Sequence, residues 1–380
     1  MLRPPSRNPH GTDRMTLILN NAEITSLLPM ADCLARMDDT YRDMGTGQAG
    51  NRPRSDIYGP VHDNGRYIFK TMDGMLPRFE VAAIRLNSDV IRWQHGPHGL
   101  RKDKQPTAGG GKFCGLILLF STRNGEPLAI MPDGVIQRLR VACSNALAAK
   151  YMAAPDARVY ALIGSGWQAS GQALAMAEVR KLDEIRVYSP TRANRERLAG
   201  ELAKELGIAV TASDTARAAV EGADIVGTAT NSVTPVVEDA WVRPHAHVTC
   251  VKELELGDGI LERSALNVVH TRIGRPANYI IGKGEQPVFD HDPQDGLADE
   301  FRQVRGTRRV GVDLEKLPDL GELVAGKVKP PAGRALTCFV NVMGLGIQFA
   351  ALGGLACEHA KARGLGREIP TDWLLESEHP

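Results

Sequence analysis

Between Arg158 and Thr191 the chain runs from an apolar stretch, Val159-Tyr160-Ala161-Leu162-Ile163, into the turn Gly164-Ser165-Gly166-Trp167-Gln168-Ala169. A helical stretch follows, and then a second strand-like run, Ile185-Arg186-Val187-Tyr188. Strand, G-x-G-x-x-A turn, helix and strand within one such span are the parts of a βαβ unit, which commits this region to a parallel sheet. Each small residue has a distinct task. Gly164 permits the tight turn, Gly166 lets the backbone approach a pyrophosphate, and Ala169 lets helix and strand pack closely. Phosphates at this turn would meet the free N–H groups and the positive dipole end of the helix. The turn is therefore expected to hold a dinucleotide.

The chain has 380 residues, room for two domains, and 43% hydrophobic with 24% charged residues can support a packed core. A formal net charge of +1 offers no electrostatic footprint for nucleic acid or an anionic membrane surface. No apolar run approaches the roughly 20 residues that span a bilayer. Six cysteines, Cys33, Cys114, Cys143, Cys250, Cys338 and Cys357, are scattered without a C-x-x-C pair. They read as reduced thiols of a cytoplasmic protein rather than a disulfide frame or a zinc site. Residues 1–14, with Pro4, Pro5, Arg3, Arg7 and Arg14, lack the apolar core of a signal peptide and read as a disordered extension.

Along the rest of the chain, Leu17–Leu19 reads as a short strand. Pro29 opens a helix that Gly45 closes. Ile57 to Ile91 is strand-like and meandering. The Gly-rich, basic stretch from His95 to Lys112 reads as a loop, and Arg123-Asn124-Gly125 as a hairpin turn between Phe113–Ser121 and Pro127–Met131. A helix from about Gln137 to Met152 leads into the βαβ unit. A helix over Arg192–Leu206 and strands over Ala223–Ala229, His247–Val251 and Leu266–His270 continue the alternation. Residues 286–306 read as a loop over the site. Leu336–Val340 precedes a small-residue helix from about Leu345 to Arg363. The expected architecture is α/β. A Rossmann-type doubly wound parallel sheet occupies 149–325. A second α+β domain for substrate and dimerisation is built from 15–148 and from a returning segment, 326–380.

The second strand of the βαβ unit ends at Ser189, where an NAD site usually places an acid for the ribose 2′-OH. With Pro190, Thr191 and Arg192 following, a 2′-phosphate could be held by Ser189, Thr191 and Arg192, which favours NADP over NAD. Thr228-Ala229-Thr230, at the carboxyl end of a later strand, is placed to line the nicotinamide or ribose, or to be a polar turn capping its own backbone. In the other half, Arg54, Lys70 and Arg140 are basic residues beside apolar segments. Three such cations in one cleft would bind a carboxylate, but singly each reads rather as a surface or salt-bridged cation, and spacing alone does not bring them together. The histidines have no metal-ligand spacing.

The order of these features resembles the ornithine cyclodeaminase/mu-crystallin family from about Thr16 onward. The pieces that carry the resemblance are the Arg54 and Lys70 segments and Leu139-Arg140-Val141-Ala142-Cys143-Ser144-Asn145-Ala146-Leu147-Ala148. With them go the Ile163–Ala169 turn, Thr228-Ala229-Thr230, Glu255-Leu256 with Leu261-Glu262-Arg263-Ser264, and Phe339 to Ala350. The resemblance implies a two-domain homodimer with NAD(P) in its Rossmann domain and an amino or imino acid substrate. It also implies that the residues matching Arg54, Lys70 and Arg140 hold the substrate's carboxylate. Members of the family include cyclodeaminases that recycle a bound NAD⁺, ketimine reductases, and dehydrogenases of N-substituted amino acids.

The chain departs from the cyclodeaminase pattern. Thr249 stands about where those enzymes carry an aspartate, and Glu253 would replace it only if the loop shifts. Asn341 and Met343 replace a more usual Lys-Ser pairing. These departures, with the turn at Ser189–Arg192, favour net redox chemistry at a C–N bond, with Arg140 and Lys70 as the reacting end and Lys70 as proton donor. The alternatives are an ornithine- or lysine-type cyclodeaminase, and a catalytically silent protein that keeps a dinucleotide as a structural ligand.

Overall fold

The computed structural model describes residues 14–62, 65–96, 99–232, 234–272, 277–282, 284–286, 312–341 and 343–376. Two sheets organise them, one with strands buried on both faces and one whose side-chain alternation selects a buried face. Seven strands form a wholly parallel sheet in the order Ala209–Ala212, Glu184–Tyr188, Val159–Ile163, Ile225–Thr228, His247–Cys250, Thr337–Val340, Leu266–Val269. The chain winds outward in both directions from Val159–Ile163, so the strand order reverses between it and Ile225–Thr228. That is where ligands settle in doubly wound sheets, outside the carboxyl ends of the strands. Helices cover both faces, and a separate apolar cluster fills each layer.

The second sheet has eleven strands and is mostly antiparallel. Its centre is Ser55–Pro60, Arg66–Leu76, Val81–Gly96, Cys114–Ser121 and Pro127–Pro132, and Met15–Ile18 and Arg367–Pro370 close one edge. Helix Gly346–Arg363 packs on its inner face, Met30–Gly45 and Gly134–Met152 pack against that helix and each other, and together with the sheet they form the largest core. Helix Gly134–Met152 also packs against Trp167–Val179, the helix of the βαβ unit, and thus joins the two sheets.

The βαβ unit, the helix over Arg192–Leu206 and the Asn124-Gly125 hairpin stand where the sequence puts them. Three features differ. Gly99–Gln105 is a strand paired with Val81–Gly96 where a loop was expected, because a two-stranded ribbon needs no apolar alternation. Strand Thr337–Val340 lies within the parallel sheet, so the chain returns to the other domain only with helix Gly346–Arg363. Ala277–Ile280, from between two strands of the parallel sheet, pairs with Ser55–Pro60 of the antiparallel one. The expected extension at 1–14 falls outside the described residues except for Arg14, and the expected loop at 286–306 does so except for Gln286.

Candidate active site

The turn after Val159–Ile163 is shaped by two glycines with different jobs. Gly164 has φ of +125°, and a Cβ there would lie 2.3 Å from the carbonyl oxygen of Ala229. Its missing side chain is what allows the ends of Val159–Ile163 and Ile225–Thr228 to approach. Gly166 caps helix Trp167–Val179, and a Cβ on it would meet nothing within 4 Å, so the turn is open where a phosphate would come. No side chain caps this helix end, which leaves its first N–H groups facing the opening. Ala169 is fully buried. The Oε1 of Gln168 is buried without a hydrogen-bond partner among the described residues. Trp167 is half exposed over the start of helix Gly134–Met152, with the Arg138 guanidinium 5.6 Å from its ring centre. These residues fit a dinucleotide diphosphate.

At the end of Glu184–Tyr188, the Ser165 hydroxyl donates to the Ser189 hydroxyl at 2.7 Å, and Ser189 is buried. Thr191 caps the next helix, and Arg192 at its start is exposed, its Nε 2.6 Å from Glu196. Arg195 instead is buried and holds the Ser189 carbonyl at 3.0 Å and Asp214 at 3.2 Å. Ser189, Thr191 and Arg192 therefore lie together at this strand end, with no carboxylate among residues 189–191.

Thr228, Ala229 and Thr230 also lie at the carboxyl edge, but both hydroxyls turn to Glu255. That fully buried carboxylate accepts from Thr228 Oγ1 (2.8 Å) and from the Val251 and Lys252 N–H groups (3.1 and 3.0 Å) on one oxygen. On the other it accepts from the Thr230 N–H and hydroxyl, both at 2.6 Å. Glu255 thus ties the ends of the fourth and fifth strands together, and Ala229 keeps its backbone at the opening. Thr249 is fully buried, and its hydroxyl has no partner among the described residues.

The cations sit on the inner face of the antiparallel sheet and on the helix above it. Register pairs Asp56 with Lys70 and Lys70 with Asn87, so these three share one row and one face. Lys70 lies between the buried Ile68 and Met72 on that face. Arg54, largely buried, contacts Asp56 through Nη2 at 2.7 Å, and the Tyr58 hydroxyl donates to the same carboxylate oxygen at 3.1 Å. Arg85, one residue pair further along the strand, places Nε and Nη2 each 2.7 Å from Asp133 Oδ2, which also accepts from Asn87 at 3.2 Å.

Arg140 is buried on helix Gly134–Met152 and differs from these. Its Nε donates to Gln137 Oε1 and its Nη1 to Gln348 Oε1, each at 3.2 Å. Among the described residues no carboxylate comes within 4.0 Å of it. Burial first, and then the neighbouring Arg85, push its pKa down, and Arg54 adds to the fall. Arg54, Arg85 and Arg140 thus share one electrostatic neighbourhood. Arg85, Asn87, Asp133 and Gln348 were not among the sequence candidates. The signal for the first two was present, since Val81, Ala83, Arg85, Asn87 and Asp89 occupy the buried parity of one strand.

The chain as a whole is similar to known proteins. The ketimine reductase mu-crystallin of Rattus norvegicus is 28% identical over 51% of this chain and 60% of its own length. The ornithine cyclodeaminase of Agrobacterium fabrum is 33% identical over 46% of this chain and 50% of its own. The structure of the Thermococcus litoralis Delta(1)-pyrroline-2-carboxylate reductase, in complex with NADH and L-proline, superposes with a TM-score of 0.71 at 25% identity. That superposition covers 93% of this chain and all (100%) of the other. The profile of the Ornithine cyclodeaminase/mu-crystallin family matches residues 14–362, and the chain belongs to that family.

Proposed function

We propose that this protein is a nicotinamide-dinucleotide-dependent oxidoreductase that reduces an imino acid, or oxidises the corresponding amino acid, at its C–N bond. The observation that carries this reading is Arg140. Among the described residues no carboxylate contacts this buried cation, which is costly, and a substrate carboxylate would supply the contact. Arg140, with Arg54 and Lys70 across the cleft, binds that carboxylate and sets the substrate carbon against the carboxyl edge of the parallel sheet. Gly164, Ser165, Gly166, Trp167, Gln168 and Ala169 hold the diphosphate, and Ala229 borders the nicotinamide end, with Thr228 and Thr230 fixing its backbone through Glu255. When bound, the dinucleotide supplies the hydride to the imine carbon or takes it from the amine carbon.

Lys70 gives a proton to the imine nitrogen in the reductive direction and takes it back in the other. Asp56, opposite it in the row, offsets part of the charge that Lys70 and Arg54 bring to this face. Ser189, Thr191 and Arg192 hold a 2′-phosphate, so NADP is the preferred cofactor. The Arg192 side chain is free to leave an exposed pairing with Glu196 that is worth little. A cyclodeaminase needs an acid near Thr249, and the nearby Glu255 is taken up by five donors.

The outer face of the antiparallel sheet supports a homodimer. Ile57 and Met75 are exposed there, and Phe69, Ile84, Leu86, Leu116, Leu118 and Phe120 are half-buried, with no helix above them among the described residues. A second copy of this chain would cover that face. Among the described residues no helix is long and apolar enough to cross a membrane. All six cysteines are free, five of them buried, which suits a cytoplasmic protein.

The test is a panel of cyclic and open-chain imino and amino acids, with the nicotinamide absorbance and ammonia release followed together. Absorbance change in step with turnover is expected. Ammonia release at constant absorbance would replace this reading with a cyclodeaminase, and tight dinucleotide binding without turnover would replace it with a silent binding protein.

A further inference from the structure

Two guanidiniums flank the Phe349 ring, Arg85 at 5.3 Å and Arg140 at 5.6 Å from its centre. The protein pairs one directly with a carboxylate and not the other. Arg85 has Asp133, whereas Arg140 has two neutral amide oxygens and the ring. An amide oxygen can satisfy an N–H without cancelling its charge, but only if the amide faces the right way, because its other end is a donor.

The surroundings of Gln348 decide that orientation. Its Oε1 accepts from Arg140 Nη1 at 3.2 Å and from the Leu345 N–H at 2.9 Å. Its Nε2 points at the Tyr41 hydroxyl (2.9 Å), Ser144 Oγ (3.1 Å) and His270 Nε2 (3.3 Å). Each of these has lone pairs to offer. Ser144 spends its own proton on the Arg140 carbonyl at 2.8 Å. His270 Nδ1 lies 2.8 Å from the Met343 carbonyl, which can only accept. Nδ1 therefore carries a proton, and in that tautomer Nε2 accepts. A flipped amide would set donor against donor at Arg140 and Leu345, and acceptor against acceptor at Ser144 and His270. The lock draws on four separated parts of the chain, with Tyr41 on Met30–Gly45, Ser144 on the helix of Arg140, His270 just past Leu266–Val269, and Gln348 itself. The strap from Met343 to Leu345 closes over the guanidinium, and a Cβ on Gly344 would stand 3.1 Å from Arg140 Nη2.

We propose that Gln348, locked in one orientation by Tyr41, Ser144 and His270, is the positioning residue that keeps the Arg140 guanidinium aimed at the cleft and available to the substrate's carboxylate. This rests on the reading of Arg140 as the carboxylate-binding cation.

Steady-state kinetics on the imino acid turned over in the panel, Δ1-pyrroline-2-carboxylate first, test it. Gln348→Glu keeps the side chain's shape and supplies an internal countercharge. KM should rise at least about tenfold, near the loss of one charge-assisted hydrogen bond, with kcat changed far less and dinucleotide affinity unchanged. Tyr41→Phe loosens the lock without adding charge and should raise KM by a smaller factor, about threefold. If Gln348→Glu fails to fold, the KM of Tyr41→Phe decides. An unchanged KM in the variants that fold, whatever their melting temperature, overturns the proposal. Arg140→Ala separates the two levels. If it raises KM while Gln348→Glu does not, only the role of Gln348 falls, and if it leaves KM alone the carboxylate-binding reading falls with it.

Discussion

Arg140 and Arg85 occupy similar buried positions around one aromatic ring, yet among the described residues a carboxylate pairs directly only with Arg85, and this asymmetry is the residue-scale basis of the functional reading. Replacing Arg140 by alanine should lower kcat/KM for a carboxylate substrate on the order of a hundredfold or more, the loss of a buried charge-assisted contact, and leave dinucleotide affinity intact. Equal collapse of NADPH binding would show that Arg140 serves the cofactor instead. The two glycines of the turn should separate stability from binding. Gly164→Ala forces a Cβ against the Ala229 carbonyl at positive φ and should destabilise the fold by about 2 kcal/mol or more in denaturant titrations. Gly166→Ala meets open space, so it should fold normally and weaken dinucleotide binding. Arg54, Lys70 and Arg140 could be picked out as candidates because each is a cation beside apolar sequence. Gln348 and Tyr41 could not, since an amide or a hydroxyl in a helix shows its role only through what lies across the interface.

Elements whose pattern is local were readable. Helix Arg192–Leu206, the βαβ unit and the Asn124-Gly125 hairpin each carry their own periodicity or turn chemistry. Strand Ala209–Ala212, four residues at a sheet edge, and the ribbon strand Gly99–Gln105 carry almost none and were not foreseen. The parallel strands depend on buried polar groups whose partners are distant in sequence. Glu255→Ala would strand three backbone N–H groups and two hydroxyls, and should cost about 3 kcal/mol or more. Loss of dinucleotide affinity should accompany the fall in Tm, since Ala229 sits between the two threonines that Glu255 holds. His247, on the fifth strand, is fully buried with Nδ1 2.9 Å from Thr337 Oγ1. Burial, and after it Arg180, bring its pKa down from 6.5 to about 3. The unfolded chain binds a proton there below about pH 6.5 that the native ring refuses down to about pH 3. Stability should therefore fall on acidification through that window and be indifferent to His247 above it. The slope of Tm against pH between these limits should flatten in His247→Gln, and an unaltered slope would remove His247 from the account.

At the scale of the molecule, the sequence implied a parallel domain flanked by the two chain ends. The physical reason is visible in the antiparallel sheet, where Met15–Ile18 pairs with Arg367–Pro370. The crossing of Ala277–Ile280 into that sheet was not legible, because pairing between strands far apart in sequence leaves no periodic trace. The apolar outer face of the sheet should make the protein a dimer in solution, with twice the 41.2 kDa chain mass by light scattering. Leu118→Glu should shift it toward the monomer, and a wild-type monomer at all concentrations would contradict the proposed face. The core of the account is the dinucleotide at the amino end of helix Trp167–Val179. Parallel fluorescence titrations with NADPH and NADH address it most directly, with Trp167 as a reporter beside the turn. The predicted result is saturable binding of one nucleotide per chain, tighter for NADPH and weakened in Gly166→Ala. The absence of binding by either nucleotide would contradict it.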